Sequence, residues 1–167
     1  MDTGPIINLA EDQNADIIIV ASCASQRLLL LFYINIETLP KKIILFKLGK
    51  IWVFKHFFDN KETFKALADS YNEDKFRFEF KTFGARNKAL KVLDRAGFDY
   101  ELVEDLRPYV VKISRYSKYA PLLKNSISHM ETADWRIFLM RDTAAVEEAV
   151  RFGAEQYQGD YGSLVLK

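Results

Sequence analysis

The side chains in this chain most able to do chemistry together are cations. Lys75, Arg77 and Lys81 alternate along "KFRFEFKTF" at 75–83, and Lys88, Lys91 and Arg95 follow at i, i+3 and i+7. Arg107, Lys112, Arg115 and Lys118 continue the series, with Phe83, Tyr109, Tyr116 and Tyr119 interleaved. Cations supply phosphate contacts and aromatic rings supply stacking platforms, the pairing that nucleic-acid binders use. Arg77, Lys81, Lys88, Lys91 and Arg95 are therefore the predicted binding residues, and nucleic acid or another polyanion the predicted partner. The "KFRFEF" run lacks the glycine that the RNA-recognition signature places before its first aromatic.

Other chemistry finds less support. Cys23, His56 and His129 are far apart, and no CxxC, HxxxH or HExxH spacing brings metal ligands together, so no metal is expected. Cys23 follows a strand-like run, with Arg27 four residues on; a buried, inert thiol is the expectation. Glu104-Asp105 and Glu147-Glu148 are adjacent, and neighbours on a helix or strand point apart, which disfavours an acid–base couple. Neither GxGxxG nor GxxxxGK[ST] occurs, and no cofactor is expected. "GDYGS" at 159–163 reads as a turn.

Charge is distributed unevenly. The whole chain of 167 residues carries 24 basic and 23 acidic side chains. Residues 75–124 hold twelve Lys/Arg against six Asp/Glu, while both flanking regions are mildly acidic. The central region is thus the candidate anion-binding face. A single cysteine excludes an intramolecular disulfide and suits a reducing, cytoplasmic setting. The acidic opening argues against a secretory signal. The apolar stretch at 15–36 breaks into Ile17–Ala21 and Leu28–Ile34, each of strand length, and is expected to be core rather than a membrane span.

The elements that position these residues are legible in part. Residues 5–14 suggest a short helix leading into a strand at 16–21, and "ADIIIVAS" resembles the corresponding helix-to-strand passage of universal stress proteins. The glycine-rich phosphate loop of that family is replaced by "SCASQRLLLLF", so the resemblance does not carry nucleotide binding with it.

Gly49-Lys50 between two β-rich runs predicts a type II′ hairpin pairing Leu48 with Ile51, Phe46 with Val53 and Ile44 with Lys55. Lys47 would then face Trp52. A helix is predicted over 60–71, introduced by Asp59 and Glu62, with Phe64, Leu67, Ala68 and Tyr71 inward. In the strand at 75–83, Phe76, Phe78 and Phe80 would face the core while Lys75, Arg77, Glu79 and Lys81 face water. A helix over 85–96, stopped by Gly97, would bury Ala85, Ala89, Val92, Leu93 and Ala96. A strand at 98–104 completes a β-α-β-α-β stretch over 51–104, whose crossovers would make its strands parallel. Its rhythm, "FKTFGARNKALKVLDRAGFDYELV", resembles the strand–turn–helix–strand of glutaredoxins, with Gly84, Ala85 and Arg86 where the redox pair would sit.

Beyond it come a strand at 109–116, a helix from about 118 to 131, a strand at 135–140, a helix capped by Asp142 or Thr143 and stopped by Gly153, and a last edge strand in "YGSLVLK". The predicted fold class is α+β: a two-layer α/β sandwich with a mixed sheet and helices mainly on one face. It is read as a single domain over 1–167, with 1–40 as a loosely attached N-terminal segment and any boundary near Pro40. The function expected is a binding or regulatory domain for an anionic partner. The alternative is a small enzyme or small-molecule-binding domain with a cleft at the sheet ends. A homodimer formed through an exposed strand edge or the first 40 residues is a further expectation.

Overall fold

The computed structural model describes residues 7–10, 18–21 and 41–165. The chain divides into two units, Met1–Pro40 and Lys41–Lys167. In the first, β1 (Ile7–Ala10) pairs antiparallel with β2 (Ile18–Ala21), Ile7 opposite Ala21 and Ala10 opposite Ile18. Residues 7–10 are therefore strand where a helix over 5–14 is predicted, because a β-branched partner run overrides local helix preference. Cys23 and 28–34 lie outside the described residues.

The second unit begins with β3 (Lys41–Leu48) and β4 (Ile51–Phe54), joined by Gly49-Lys50. Gly49 has φ 60° and Lys50 is not left-handed, the combination that separates a II′ turn from a I′ turn. Phe46 opposes Val53, Lys47 opposes Trp52 and Leu48 opposes Ile51, as the turn chemistry predicts. Lys47 Nζ sits 5.8 Å from the Trp52 ring.

Helix α1 (Lys61–Leu67) follows, capped by Asn60, whose Oδ1 accepts from Glu62 N at 2.8 Å. A 3-10 turn at Ala68–Ser70 then leads into the short strand β5 (Tyr71–Asn72), which forms a hairpin with β6 (Arg77–Phe80). Helix α2 (Phe83–Arg95) is capped by Thr82 and released by Gly97 at φ 79°. Strand β7 (Phe98–Val103) completes a sheet ordered β5-β6-β4-β3-β7.

The predicted stretch over 51–104 holds in element order but not in strand direction. The β5–β6 hairpin reverses the chain, so β6 lies antiparallel beside β4. The parallel neighbours are β3 and β7, with Phe46 opposite Val103.

A second sheet follows, ordered β11-β8-β10-β9 and antiparallel throughout. It contains β8 (Val110–Ser114), β9 (Ser126–Glu131), β10 (Trp135–Met140) and β11 (Glu155–Gln156). Helix α3 (Ala120–Lys124) precedes β9, α4 (Thr143–Arg151) follows β10, and α5 (Gly162–Val165) comes last. Asp142 caps α4, its Oδ1 accepting from Ala145 N at 2.7 Å.

Two expectations fail here. The helix predicted to 131 ends at Lys124, because residues 126–131 pair antiparallel with β10, with a register shift at Leu139/Met140. The final segment is a helical turn, not an edge strand. Asp160 Oδ1 accepts from Gly162 N at 2.8 Å and starts the turn.

Three apolar clusters set the layers. Ile43, Leu45, Trp52, Phe54, Phe78, Phe80, Ala89, Leu90 and Leu93 lie between the first sheet and α1–α2. Ile44, Phe46, Leu48, Val53, Ile127, Met130, Ile137 and Leu139 lie between the two sheets. Val111, Ile113, Leu122, Phe138, Met140, Ala145 and Ala149 lie under α3 and α4. The fold is α+β, and each sheet with its own helices is a two-layer sandwich; the two are stacked sheet to sheet. The uninterrupted run in β3 follows from this, since residues buried on both faces cannot alternate. The face of β6 expected in water is covered instead. Arg77 is only 2% exposed, and Phe76, expected in the core, is 64% exposed in the turn before β6.

Candidate functional site

The predicted binding residues do not form one group. Arg77 is buried between the sheets. Its Nε donates to Glu79 Oε1 at 2.8 Å, its Nη1 to the Ile127 carbonyl at 2.9 Å, and its Nη2 pairs with Glu79 Oε1 at 2.7 Å. Burial pushes the Glu79 carboxyl up, but the Arg77 hydrogen bonds and charge outweigh it and hold the group below the usual carboxylate range. Arg77 therefore faces away from α2, whose inner residues Ala89, Leu90 and Leu93 lie on the opposite face of the first sheet.

Lys81, Lys88, Lys91 and Arg95 are all exposed. With Ala89 and Leu93 turned inward, Lys88, Lys91 and Arg95 fall together on the outer face of α2. Among the described residues none of these four has an acidic partner. Elsewhere cations are commonly paired, as in Lys42–Glu101 at 2.6 Å, Lys47–Glu104 at 2.9 Å and Arg136–Glu131 at 2.8 Å.

Of the four predicted stacking rings, Phe83 and Tyr116 are exposed, at 70% and 91%. The Arg86 guanidinium lies 4.9 Å from the Phe83 centroid and 5.0 Å from that of Trp52. Tyr109 is buried edge-on against Phe46 at 4.9 Å and offers no platform. Tyr119 is half-buried beneath Arg136, 4.0 Å from its ring.

A groove not anticipated from the sequence opens beside α1. It has a volume of about 400 Å³ and is lined by His56, Phe57, Phe58, Lys61, Phe64, Lys65 and Tyr71. Phe57 is 81% exposed. Its signal was "HFFDNK", three rings running past the end of β4 into an Asn-capped helix. His56 packs edge-on to Phe58 at 4.9 Å and Phe98 at 5.1 Å. Burial, then the positive Arg141 and Lys41, hold its imidazole below the usual histidine value.

A second pocket, of about 360 Å³, opens where the turn before β6 meets β9. Lys55, Asp74, Lys75, Phe76, Arg77 and His129 line it, with Leu123 and residues 126–128 of β9. Lys55 Nζ donates to the Ser126 carbonyl at 3.0 Å. Lys55 and Arg77 thus both bind carbonyls of β9, an edge strand of the second sheet.

Three of the four carboxylates named from sequence have structural partners: Glu104 pairs with Lys47, Asp105 with Arg107, and Glu148 accepts from Asn125. Among the described residues no three His, Cys, Asp or Glu side chains converge as a metal site, and no helix is long and apolar enough to cross a membrane. Compared with protein-family models, curated proteins and solved structures, the chain matches none.

Proposed function

We propose that this chain is a binding module for single-stranded nucleic acid, which lies on the helical layer of the first sheet. One observation carries the reading: exposed cations without acidic partners among the described residues share this layer with exposed aromatic rings. Lys81, Lys88, Lys91 and Arg95 supply phosphate contacts. Phe57, Phe64 and Phe83, each exposed, supply stacking surfaces, and Lys61 lies beside the first two. Bases stack on such rings regardless of identity, so the binding is expected to be tolerant of sequence.

The test is fluorescence anisotropy with a labelled single-stranded oligonucleotide across a salt series. Four phosphate contacts predict a slope of log affinity against log salt of about −3, from roughly 0.7 per contact. Lys88→Glu with Lys91→Glu should flatten that slope by about 1.4. Phe57→Ala should weaken binding by about 1–3 kcal/mol at unchanged slope, through lost stacking. Binding independent of salt, or insensitive to the charge reversals, overturns the proposal.

The alternative, a small-molecule-binding domain, has one observation in its favour, the pocket between the sheets at Lys55.

A further inference from the structure

That pocket deepens the small-molecule reading and stands apart from the nucleic-acid proposal, since it lies at the sheet-to-sheet edge and not on the helical layer. Its charge is unbalanced. Glu79 is committed to Arg77 and also lies 3.8 Å from Lys75. Asp74 is the one carboxylate among the lining residues, and it is exposed. Lys55 is half-buried, its Nζ meets a backbone carbonyl, and it has no acidic partner among the described residues. An ammonium group so placed lacks the counter-charge that partly buried ions normally have. Burial, reinforced by the nearby Arg141 and Arg77 charges, holds the Lys55 amine below its ordinary value.

The apolar side of the pocket is equally specific. Phe76 is the one non-glycine residue among those described with positive φ, at 51°, and its ring is 64% exposed. A bulky residue held left-handed costs free energy, and solvent exposure of the ring gives nothing back. Leu123, 39% exposed, also lines the pocket. The volume of about 360 Å³ suits a small ligand.

We infer that this pocket binds a small organic anion, its carboxylate or phosphate held at Lys55 Nζ and its flat or apolar body lying against Phe76 and Leu123. The bound anion supplies the missing counter-charge, and its body covers the exposed ring. Ser126 and Ser128 lie on the pocket wall, but their hydroxyls already donate to the carbonyls of Leu123 and Leu164, so Lys55 is the principal anchor.

The experiment is titration of the full chain with phenyl phosphate, benzoate, inorganic phosphate and benzylamine, followed by thermal melting and by the rate at which an amine-reactive reagent labels Lys55. Phenyl phosphate or benzoate should raise the melting temperature and slow the labelling; the stronger of the two identifies the preferred head group. Benzylamine should do neither. Lys55→Met keeps the alkyl stem and should weaken anion binding at least tenfold. Phe76→Gly fits the left-handed backbone and should erase the preference for phenyl over inorganic phosphate. Lys88→Glu with Lys91→Glu should leave every one of these responses intact, which separates this site from the nucleic-acid face. If neither organic anion protects Lys55, or if Lys55→Met binds them as the unaltered chain does, the inference is wrong.

Discussion

Arg77 links the two sheets, and its removal gives a quantitative test of how they are held. In Arg77→Met the aliphatic volume remains while three polar contacts vanish: two to Glu79 Oε1 and one to the Ile127 carbonyl. Glu79, itself largely buried, is left with Lys75 at 3.8 Å and a hydrogen bond from Asn72. Removing one partner of a buried pair costs about 3–5 kcal/mol, and Asn72 with Lys75 should keep the loss near the lower end. In urea, with a slope of about 1–3 kcal/mol per molar, a 3 kcal/mol loss lowers the midpoint by about 1–3 M. Glu79→Leu alone should also destabilise, because Arg77 then sits buried without its carboxylate. The double variant leaves no orphaned charge between the sheets, and its cost should be only about 1–2 kcal/mol. A double-mutant cycle by equilibrium unfolding should therefore give a coupling of at least about 2 kcal/mol. A single-variant cost under about 1 kcal/mol, or single effects that simply add, would refute this account of the interface.

Three other outcomes are expected. Gly49→Ala forces a side chain onto a turn residue at φ 60° and should cost about 1–2 kcal/mol in chemical unfolding. Asp142→Ala removes the cap of α4 and should cost about 1 kcal/mol, with Asp142→Asn recovering most of it. Acid should destabilise in two steps. His56 is depressed in the folded chain, so the unfolded chain takes up that proton first, and stability falls as pH drops below about 6.5. Glu79 is also depressed, so its contribution is present above the unfolded carboxylate value and is lost as pH falls below about 4.5. His56→Phe should raise the melting temperature more at pH 5.5 than at pH 8; an equal change at both would contradict the histidine assignment.

Local chemistry carried the reading from sequence a long way. The Gly49-Lys50 hairpin and its register follow from turn geometry alone, and the stops at Gly97 and Gly153 from left-handed glycines at φ 79° and 102°. What failed depended on partners distant in the chain. The alternation of "KFRFEF" correctly places Phe78 and Phe80 on one face, yet says nothing of a second sheet that covers the other. The strand at 126–131 is hidden because Ile127 and Met130, three apart, fit a helical spacing, and they reach the same core only through the register shift beside Ile127. At the candidate sites, Lys88, Lys91 and Arg95 share an outer face because helical periodicity is local. The Lys55 pocket brings together residues 55, 74–77, 123 and 126–129, which no window along the chain could join.

The stacking of one sheet on the other has a consequence for synthesis. When residue 104 emerges, every strand of the first sheet exists, but the layer over Ile44, Phe46 and Val53 is completed only when β10 ends at Met140, Tyr109 and Ile127 adding to it on the way. At about 5–20 residues per second the ribosome leaves that oily surface incompletely covered for roughly 2–7 s. A pause in translation between the two halves would lengthen that interval and should favour aggregation.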